Sequence, residues 1–218
     1  MPGRLIVLEG CDGSGKSTQL SLLAGRLKAQ GAAPRMLSYP VYESASSALV
    51  RMYLSGAFGS DPDAVNPYAA SSFYAVDRCA DFLANWKRDY DAGALFISGR
   101  YTTSNAVHQG AKLSGAARAA YMDWLFDYEY RLLGLPAPDL VVFLDVPPEL
   151  SMENIRKRGL PRDIHETRAY IEKSRESALF AAGRYGWIVI DCACGGGMRP
   201  AEAICGEILQ HIKDRNLC

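Results

Sequence analysis

The stretch that decides the fold is Gly10-Cys11-Asp12-Gly13-Ser14-Gly15-Lys16-Ser17-Thr18. It matches the pattern G-x-x-x-x-G-K-[ST] at every fixed position. The apolar run Leu5-Ile6-Val7-Leu8 precedes it and is typical of a central strand that is buried on both faces. Leucines at helical spacing follow it and predict a helix that ends at Gln30-Gly31. A strand, a glycine-rich loop and a helix in this order predict a phosphate-binding loop.

This loop is expected to bind the phosphates of a nucleoside triphosphate. Glycines allow several backbone N–H groups to converge on one anion, and the helix N-terminus adds partial positive charge. Lys16 is expected to reach the β- and γ-phosphates, and the Ser17 hydroxyl is expected to ligate Mg²⁺. The alternative is a glycine-rich turn with a solvated lysine, and the flanking strand and helix argue against it.

The composition favours one globular domain. Of the 218 residues, 49% are hydrophobic and 22% are charged, and no stretch has the composition of a linker. Lys and Arg together number 24, as do Asp and Glu, so we expect no nucleic acid partner. No apolar stretch reaches the length of a membrane span, so we expect no membrane partner and a cytoplasmic location. The six cysteines form no C-x-x-C pair and are expected to be reduced.

Short apolar runs predict the strands of an α/β fold. The predicted strands cover residues 5–8, 35–39, 94–98, 140–144 and 186–190. Helical patterns separate them, which predicts a five-stranded parallel sheet with helices on both faces. This is the architecture of P-loop kinases, and the base-recognition and switch motifs of GTPases are not evident. We therefore predict a single P-loop kinase domain over residues 1–218, with a short lid near residues 153–164.

Several arginines are candidates for binding phosphate groups. Arg156, Arg158 and Arg162 form the basic part of the predicted lid, and guanidinium groups suit phosphate oxygens. The alternative for them is a solvated helix face. Arg100 directly follows the third strand and Arg78 lies on a long helix, so both are candidates for an acceptor phosphate. A surface ion pair is the alternative for each.

The chain resembles the thymidylate kinases over most of its length. The resemblance rests on the glycine-rich loop, Tyr39-Pro40, Tyr74-Ala75-Val76-Asp77-Arg78, Arg100-Tyr101, Ser104, Gln109-Gly110, Leu144-Asp145-Val146, Pro148 and the basic lid. The run from Arg100 to Gln109 resembles the branch of this family found in anaerobic Gram-positive bacteria. The resemblance implies a homodimeric nucleoside monophosphate kinase that uses ATP and Mg²⁺ to convert dTMP into dTDP for dTTP biosynthesis.

The resemblance also implies roles for individual residues. The residues implied to bind ATP are Gly10, Asp12, Gly13, Ser14, Gly15, Lys16, Ser17 and Thr18. Those implied to bind dTMP are Asp12 at the sugar 3′-hydroxyl, Tyr39, Pro40, Arg51, Tyr74 stacked on thymine, Arg78 at the base, Arg100 at the phosphate, Tyr101 near the sugar, and Ser104 and Gln109 along the base edge. The implied catalytic residues are Lys16, Arg100, Arg156, Arg158 and Arg162.

Three positions qualify this resemblance. Gly13 stands where some members have an arginine, which assigns the catalytic positive charge to the lid. Many members have an arginine shortly after the proline of strand two, whereas this chain has Val41-Tyr42-Glu43, and Arg51 is the candidate replacement. Gly99 replaces the aspartate of the family's Asp-Arg-Tyr triplet, and Glu9 or a water molecule is the candidate replacement.

Two alternative functions remain open from the sequence. One is a related deoxynucleoside or nucleoside monophosphate kinase, although deoxynucleoside kinases usually carry a Glu-Arg-Ser type triplet where this chain has Gly99-Arg100-Tyr101. The other is a nucleotide-binding paralogue whose activity is reduced because Gly99 carries no carboxylate.

Overall fold

A computed structural model describes residues 2–59, 61, 64–158 and 167–218. Its main sheet consists of β1 (Arg4–Glu9), β2 (Arg35–Leu37), β3 (Leu95–Ser98), β4 (Leu140–Asp145) and β5 (Ile188–Asp191). The strands are parallel and lie in the order β2-β3-β1-β4-β5. The predicted α/β fold with a five-stranded parallel sheet is thereby confirmed.

The helices lie between the strands, as the sequence predicted. They are α1 (Lys16–Ala29), α2 (Ala48–Leu54), α3 (Pro67–Asp81), α4 (Lys87–Asp91), α5 (Thr102–His108), α6 (Gly115–Phe126), α7 (Pro148–Arg158), α8 (Arg168–Tyr185) and α9 (Ala201–Asp214). A π-helical segment, Phe82–Trp86, joins α3 to α4, and another, Asp127–Leu132, extends α6. Each of these segments follows the preceding helix without a break. No described helix is long and apolar enough to cross a membrane.

Two apolar clusters cover the two faces of the sheet, and β1 contributes to both. Leu5 and Val7 belong to one cluster, and Ile6 and Leu8 belong to the other. Alternate residues of a strand point to opposite faces, so a strand between two clusters must be apolar at successive positions. This explains why the first strand is a continuous apolar run rather than an alternating pattern.

Local sequence sets the ends of the helices. Asn66 caps α3 through its side-chain oxygen, which accepts from Ala69 N at 2.9 Å, and Pro67 occupies the first turn. Thr167 caps α8 in the same way, accepting from Tyr170 N at 3.2 Å. Gly186 ends α8 in the left-handed conformation at φ 70°, so β5 begins at Ile188 rather than at residue 186 as predicted.

Two further details differ from the sequence prediction. β2 ends at Leu37 rather than at residue 39, and the Tyr39–Pro40 peptide is cis. The glycine-rich segment after β5 forms a small antiparallel hairpin of β6 (Ala193–Cys194) and β7 (Gly197–Met198), which are not among the strands predicted from the sequence. The predicted lid begins within α7, and its remaining residues, Arg162 among them, lie outside the described residues.

Candidate active site

The glycine-rich loop connects β1 to α1 and turns sharply at two positions. Gly13 and Gly15 have φ values of 77° and 84°, a backbone conformation that side chains rarely adopt. Lys16 folds over the loop, and its ammonium group donates to the carbonyl oxygens of Gly10 and, at 3.1 Å, Cys11. Burial lowers the pKa of Lys16, and the positive charge of Arg100 acts in the same direction. The loop thus brings its lysine and its backbone together at one end of the sheet.

A large cleft of about 850 Å³ opens beside this loop. Its lining includes Asp12, Gly13, Ser14, Gly15, Lys16, Ser17 and Thr18, together with Gly99, Arg100 and Asn154. These are all the predicted ATP-binding residues except Gly10. Gly10 is the first residue of the loop, where an added Cβ would fall 3.2 Å from the Leu144 carbonyl oxygen. Ser17 and Thr18 are exposed in the first turn of α1.

A second cavity of about 280 Å³ lies next to the cleft. It is bordered by all the predicted dTMP-binding residues except Arg51, namely Asp12, Tyr39, Pro40, Tyr74, Arg78, Arg100, Tyr101, Ser104 and Gln109. The structure adds residues that the sequence did not single out, which are Tyr42, Leu54, Asn105, His108 and Tyr170. The carboxyl ends of β1 and β3 bring these segments together, as expected for a parallel sheet.

Arg100 lies where the cleft and the cavity meet. Its Nη2 donates to Asp12 Oδ1 at 3.0 Å, and its Nη1 lies 3.0 Å from His108 Nε2. Burial would raise the pKa of Asp12, but the imidazolium that His108 forms in acid, together with the charges of Arg100 and Lys16, outweighs it and lowers that pKa to about 2. Asp12 is therefore a carboxylate at neutral pH, and it fixes one side of the guanidinium.

Arg78 is buried and paired with Glu129. Its Nε and Nη2 donate to the two carboxylate oxygens of Glu129 at 2.7 and 2.6 Å. Burial would lower the pKa of Arg78, but the Glu129 carboxylate outweighs it and raises that pKa. Nη1 makes a longer contact, 3.4 Å, with the Tyr101 carbonyl oxygen. The ion pair thus fixes a charged guanidinium at the wall of the small cavity.

The tyrosines around the small cavity differ in how their hydroxyls are used. The Tyr39 hydroxyl donates to Asp81 at 2.8 Å and accepts from Trp86 at 2.9 Å. Tyr101 is fully buried, and its hydroxyl donates to the Pro136 carbonyl at 2.9 Å, so it is committed to the core. Tyr74 is half-buried, with its ring edge-on to Tyr53 at 6.4 Å.

Ser104 and Gln109 lie on the α5 side of the cavity. Ser104 Oγ donates to Glu9 Oε1 at 2.8 Å, and Thr103 donates to the same oxygen at 2.6 Å. Gln109 Nε2 donates to the Tyr53 hydroxyl at 3.4 Å. Its Oε1 is buried and has no hydrogen-bond partner within the described part of the chain. This oxygen is thus an unsatisfied acceptor at the cavity wall.

Glu9 does not occupy the place expected of a replacement carboxylate. It is fully buried beneath α5, and burial raises its pKa. Of the described residues that line the cleft and the small cavity, Glu9 is not one. Its contacts with Thr103 and Ser104 show that it anchors the start of α5 instead.

Arg51 also differs from its predicted place. Its guanidinium donates to the carbonyl oxygens of Tyr42 and Ser44 at 2.6 and 2.9 Å, and the side chain is exposed. Among the described lining residues of the small cavity, Arg51 does not appear. It therefore orders the loop before α2.

The lid arginines are described only in part. Arg156 is exposed on α7 and donates to the Met152 carbonyl at 3.3 Å. The side chain of Arg158 and the whole of Arg162 lie outside the described residues. α7 itself packs against the glycine-rich loop, since Asn154 Nδ2 donates to the Gly13 carbonyl at 2.8 Å.

Comparison with known proteins identifies the family. The thymidylate kinase family model matches residues 8–194. The chain belongs to the thymidylate kinase family. The thymidylate kinase of Mycobacterium tuberculosis (strain H37Rv) is 32% identical over 191 residues, covering 84% of this chain and 87% of that protein. The probable thymidylate kinase of Pyrobaculum aerophilum is 30% identical over 208 residues, covering 95% of each.

A solved thymidylate kinase has the same fold. The structure from Candida albicans superposes with a TM-score of 0.73 and 22% identity, covering 99% of this chain and 93% of that one. The predicted family is thus confirmed. The resemblance to a branch from anaerobic Gram-positive bacteria gains no support, because the relatives described above are a mycobacterial and an archaeal protein.

Two residues that lie at or behind the wall of the small cavity, His108 and Glu129, could not be predicted equally well from the sequence. His108 follows Ser104 by four residues on α5, so helical spacing could have placed it on the same face. Glu129 lies 51 residues from Arg78 on a different helix, and no local pattern connects them. Only the tertiary fold brings that carboxylate to Arg78.

Proposed function

We propose that this protein transfers the γ-phosphoryl group of ATP to dTMP and forms dTDP. The observation that carries the proposal is that the cleft and the small cavity share a wall, formed by Asp12, Tyr39, Pro40, Tyr42 and Arg100. In-line transfer requires the acceptor oxygen beside the terminal phosphate of the donor. Two adjacent cavities with Arg100 between them meet that requirement.

The donor half of the proposal rests on the glycine-rich loop. Lys16 would leave the carbonyl groups of Gly10 and Cys11 and reach the β- and γ-phosphates. In the described residues, no group of three His, Cys, Asp or Glu side chains could hold a metal. Mg²⁺ in such sites takes most ligands from phosphate and water, so the exposed Ser17 hydroxyl in the first turn of α1 fits this role. When bound, the ion would neutralise charge on the phosphates.

For the acceptor dTMP, we propose one role for each group of residues that lines the small cavity. Arg100 would hold the phosphate of dTMP, and Asp12 would hold both Arg100 and the 3′-hydroxyl. Tyr74 would stack on thymine, and Nη1 of Arg78 would donate to the base. The buried Gln109 Oε1 needs a donor, and the N–H group of thymine would supply one.

The lid would supply the remaining positive charge. Gly13 cannot be replaced by the arginine of other members, because its backbone is left-handed and an added Cβ would collide with the Ser151 carbonyl. We therefore retain Arg156, Arg158 and Arg162 as the residues that stabilise the transferred group.

A homodimer is part of the proposal. Exposed apolar side chains lie on α2, on α3 and on the π-helical segment after α3, with Met52 at 44%, Val76 at 48% and Leu83 at 62% relative exposure. Side chains of this type favour burial against a second copy. Sedimentation equilibrium of Val76→Glu and Leu83→Glu would test this, because both variants should sediment as monomers if the face is the dimer contact.

The proposed activity is tested by a coupled assay of ADP release. We expect dTMP to be the best acceptor when it is compared with dUMP, dCMP, dGMP and dAMP at equal concentration. Equal or faster turnover of another monophosphate would overturn the substrate assignment and favour a related nucleotide kinase.

A second candidate function rests on Gly99, which lines the cleft without a carboxylate. In this second function, the protein binds ATP and dTMP but transfers the phosphoryl group slowly or not at all. Calorimetry that detects ATP and dTMP binding, combined with no turnover at high enzyme concentration, would favour this candidate.

A further inference from the structure

His108 connects the arginine of the acceptor site to α8. Its Nε2 lies 3.0 Å from Arg100 Nη1, and its Nδ1 lies 3.2 Å from the Tyr170 hydroxyl. The rings of His108 and Tyr170 stack with centroids 5.9 Å apart and planes 8° apart. Both ring nitrogens of His108 therefore have defined partners on two different elements.

The chemistry of these partners fixes the form of the imidazole. A guanidinium can only donate, so Nε2 must accept the hydrogen bond from Arg100. A neutral imidazole that accepts at Nε2 carries its proton on Nδ1, which then donates to the Tyr170 oxygen. We propose that neutral His108, protonated on Nδ1, is a positioning residue that holds Arg100 ready for the acceptor phosphate. The proposal rests on the proposed function, in which Arg100 binds that phosphate.

Protonation of His108 would remove this contact. The cation has two N–H donors and no acceptor, and it would place a second positive charge beside Arg100. Asp12 of the glycine-rich loop faces the same region and favours the cation, whereas Arg100, 3.0 Å from Nε2, opposes it.

Two tyrosines are also among the described titratable residues that line this cavity. Tyr170 on α8 and Tyr74 on α3 border the same cavity, and burial raises the pKa of both. They are uncharged at neutral pH and do not titrate with the histidine. We therefore expect the affinity for dTMP to fall as His108 gains its proton, because Arg100 is released from one of its two partners.

Two substitutions distinguish the hydrogen bond that the imidazole accepts from the space that its ring fills. His108→Gln keeps an oxygen acceptor but cannot titrate, and His108→Phe keeps a ring but has no acceptor. We expect His108→Phe to raise KM for dTMP about tenfold while changing kcat less, and His108→Gln to stay within about threefold of the wild type. An unchanged KM in His108→Phe would overturn the proposal.

The pH profile supplies a readout that a merely structural role would not move. The phosphate of dTMP itself titrates near pH 6, so the informative quantity is the ratio of KM for wild type to KM for His108→Gln. This ratio should rise about threefold or more as the pH falls from 7.5 to 5.5. A flat ratio would contradict the proposal.

The tautomer can be observed directly in the wild-type protein. The chain has three histidines, so ¹⁵N NMR of histidine-labelled protein gives few signals, and His108→Gln identifies the one from His108. We expect the Nδ1–H tautomer at pH 8 without substrate, and Tyr170→Phe should weaken that preference. An Nε2–H tautomer would overturn the proposal whether or not the variants fold. A failure of dTMP as acceptor would instead appear in the ADP-release assay and would leave the tautomer unchanged.

Discussion

Arg78 and Glu129 form a two-point ion pair, with nitrogen–oxygen distances of 2.7 and 2.6 Å, and both side chains are at most 2% exposed. A buried pair of this geometry fixes the direction of the guanidinium, because both donors on one side of it are occupied. Thr102 Oγ1 also donates to Glu129, at 2.7 Å, and secures the carboxylate from the start of α5. The base-binding role proposed for Arg78 thus depends on a carboxylate far away in sequence.

Removing this carboxylate should destabilise the fold. Glu129→Gln leaves the Arg78 charge buried without a counter-charge, which we expect to lower the free energy of unfolding by about 3–5 kcal/mol. Urea denaturation measures this. Asp127→Asn is the matched control on the same helical segment, because Asp127 pairs with Arg131 at the surface and should not change stability measurably. If both variants lowered the free energy of unfolding equally, the buried pair would not contribute more to stability than a surface pair.

Substitution of Arg100 should lower kcat/KM for dTMP more than substitution of Arg51. Arg100 uses both terminal nitrogens in fixed contacts, so Arg100→Lys keeps the charge but loses the fork geometry, and kcat/KM for dTMP should fall about 100-fold. KM for ATP should change little. Arg51→Lys is the matched control and should change kcat/KM for dTMP less than about threefold, since Arg51 contacts loop carbonyls. A large effect of Arg51→Lys would restore its predicted role in acceptor binding.

The sequence predicts the framework of this site better than its contacts. The loop 10–18 and Arg100 follow apolar strands, and parallel strands bring their carboxyl ends to one edge, so their proximity follows from the strand pattern. Tyr74 and Arg78 lie one helical turn apart, which places both beside the same cavity. These positions depend on local order and on the direction of the strands.

The partners of these residues depend on tertiary packing and were not predictable. Asp12 and Arg100 pair across 88 residues, and His108 meets Tyr170 across 62. Glu9 has a carboxylate next to the glycine-rich loop, but its orientation follows from Thr103 and Ser104 on α5. A sequence pattern gives the element on which a residue lies, whereas the direction of its side chain depends on what packs against it.

Gly13 should tolerate no side chain. An added Cβ would collide with the Ser151 carbonyl and contact Ile155 at 3.1 Å, and the φ of 77° is unfavourable for alanine. We expect Gly13→Ala to lower stability by about 1–3 kcal/mol and to weaken ATP binding, as measured by thermal denaturation and calorimetry. Gly25→Ala is the control, since Gly25 lies exposed within α1 with nothing near its Cβ position, and it should raise stability by about 0.5–1 kcal/mol. Unchanged ATP binding in a folded Gly13→Ala protein would contradict this prediction, because it would mean that α7 moves away from the added methyl group.

Gly99 lines the cleft at the position where other members of the family have an aspartate, so this position carries no carboxylate. An added Cβ at Gly99 would collide with the terminal Cδ1 methyl group of Leu20 on α1, so Leu20 must change its rotamer before an aspartate fits. We therefore expect Gly99→Asp alone to lower stability by about 0.5–1.5 kcal/mol, the cost of an unfavourable Leu20 rotamer, and to give no increase in kcat. Whether Gly99 limits kcat is tested with the double variant Gly99→Asp with Leu20→Ala. Leu20→Ala alone is its control. Because Lys16 and Arg100 already line the cleft with positive charge, we expect the two to have the same kcat within about twofold. An increase of about tenfold in the double variant over its control would mean that the glycine limits the rate, and it would favour the slow-transfer candidate over a fully active kinase.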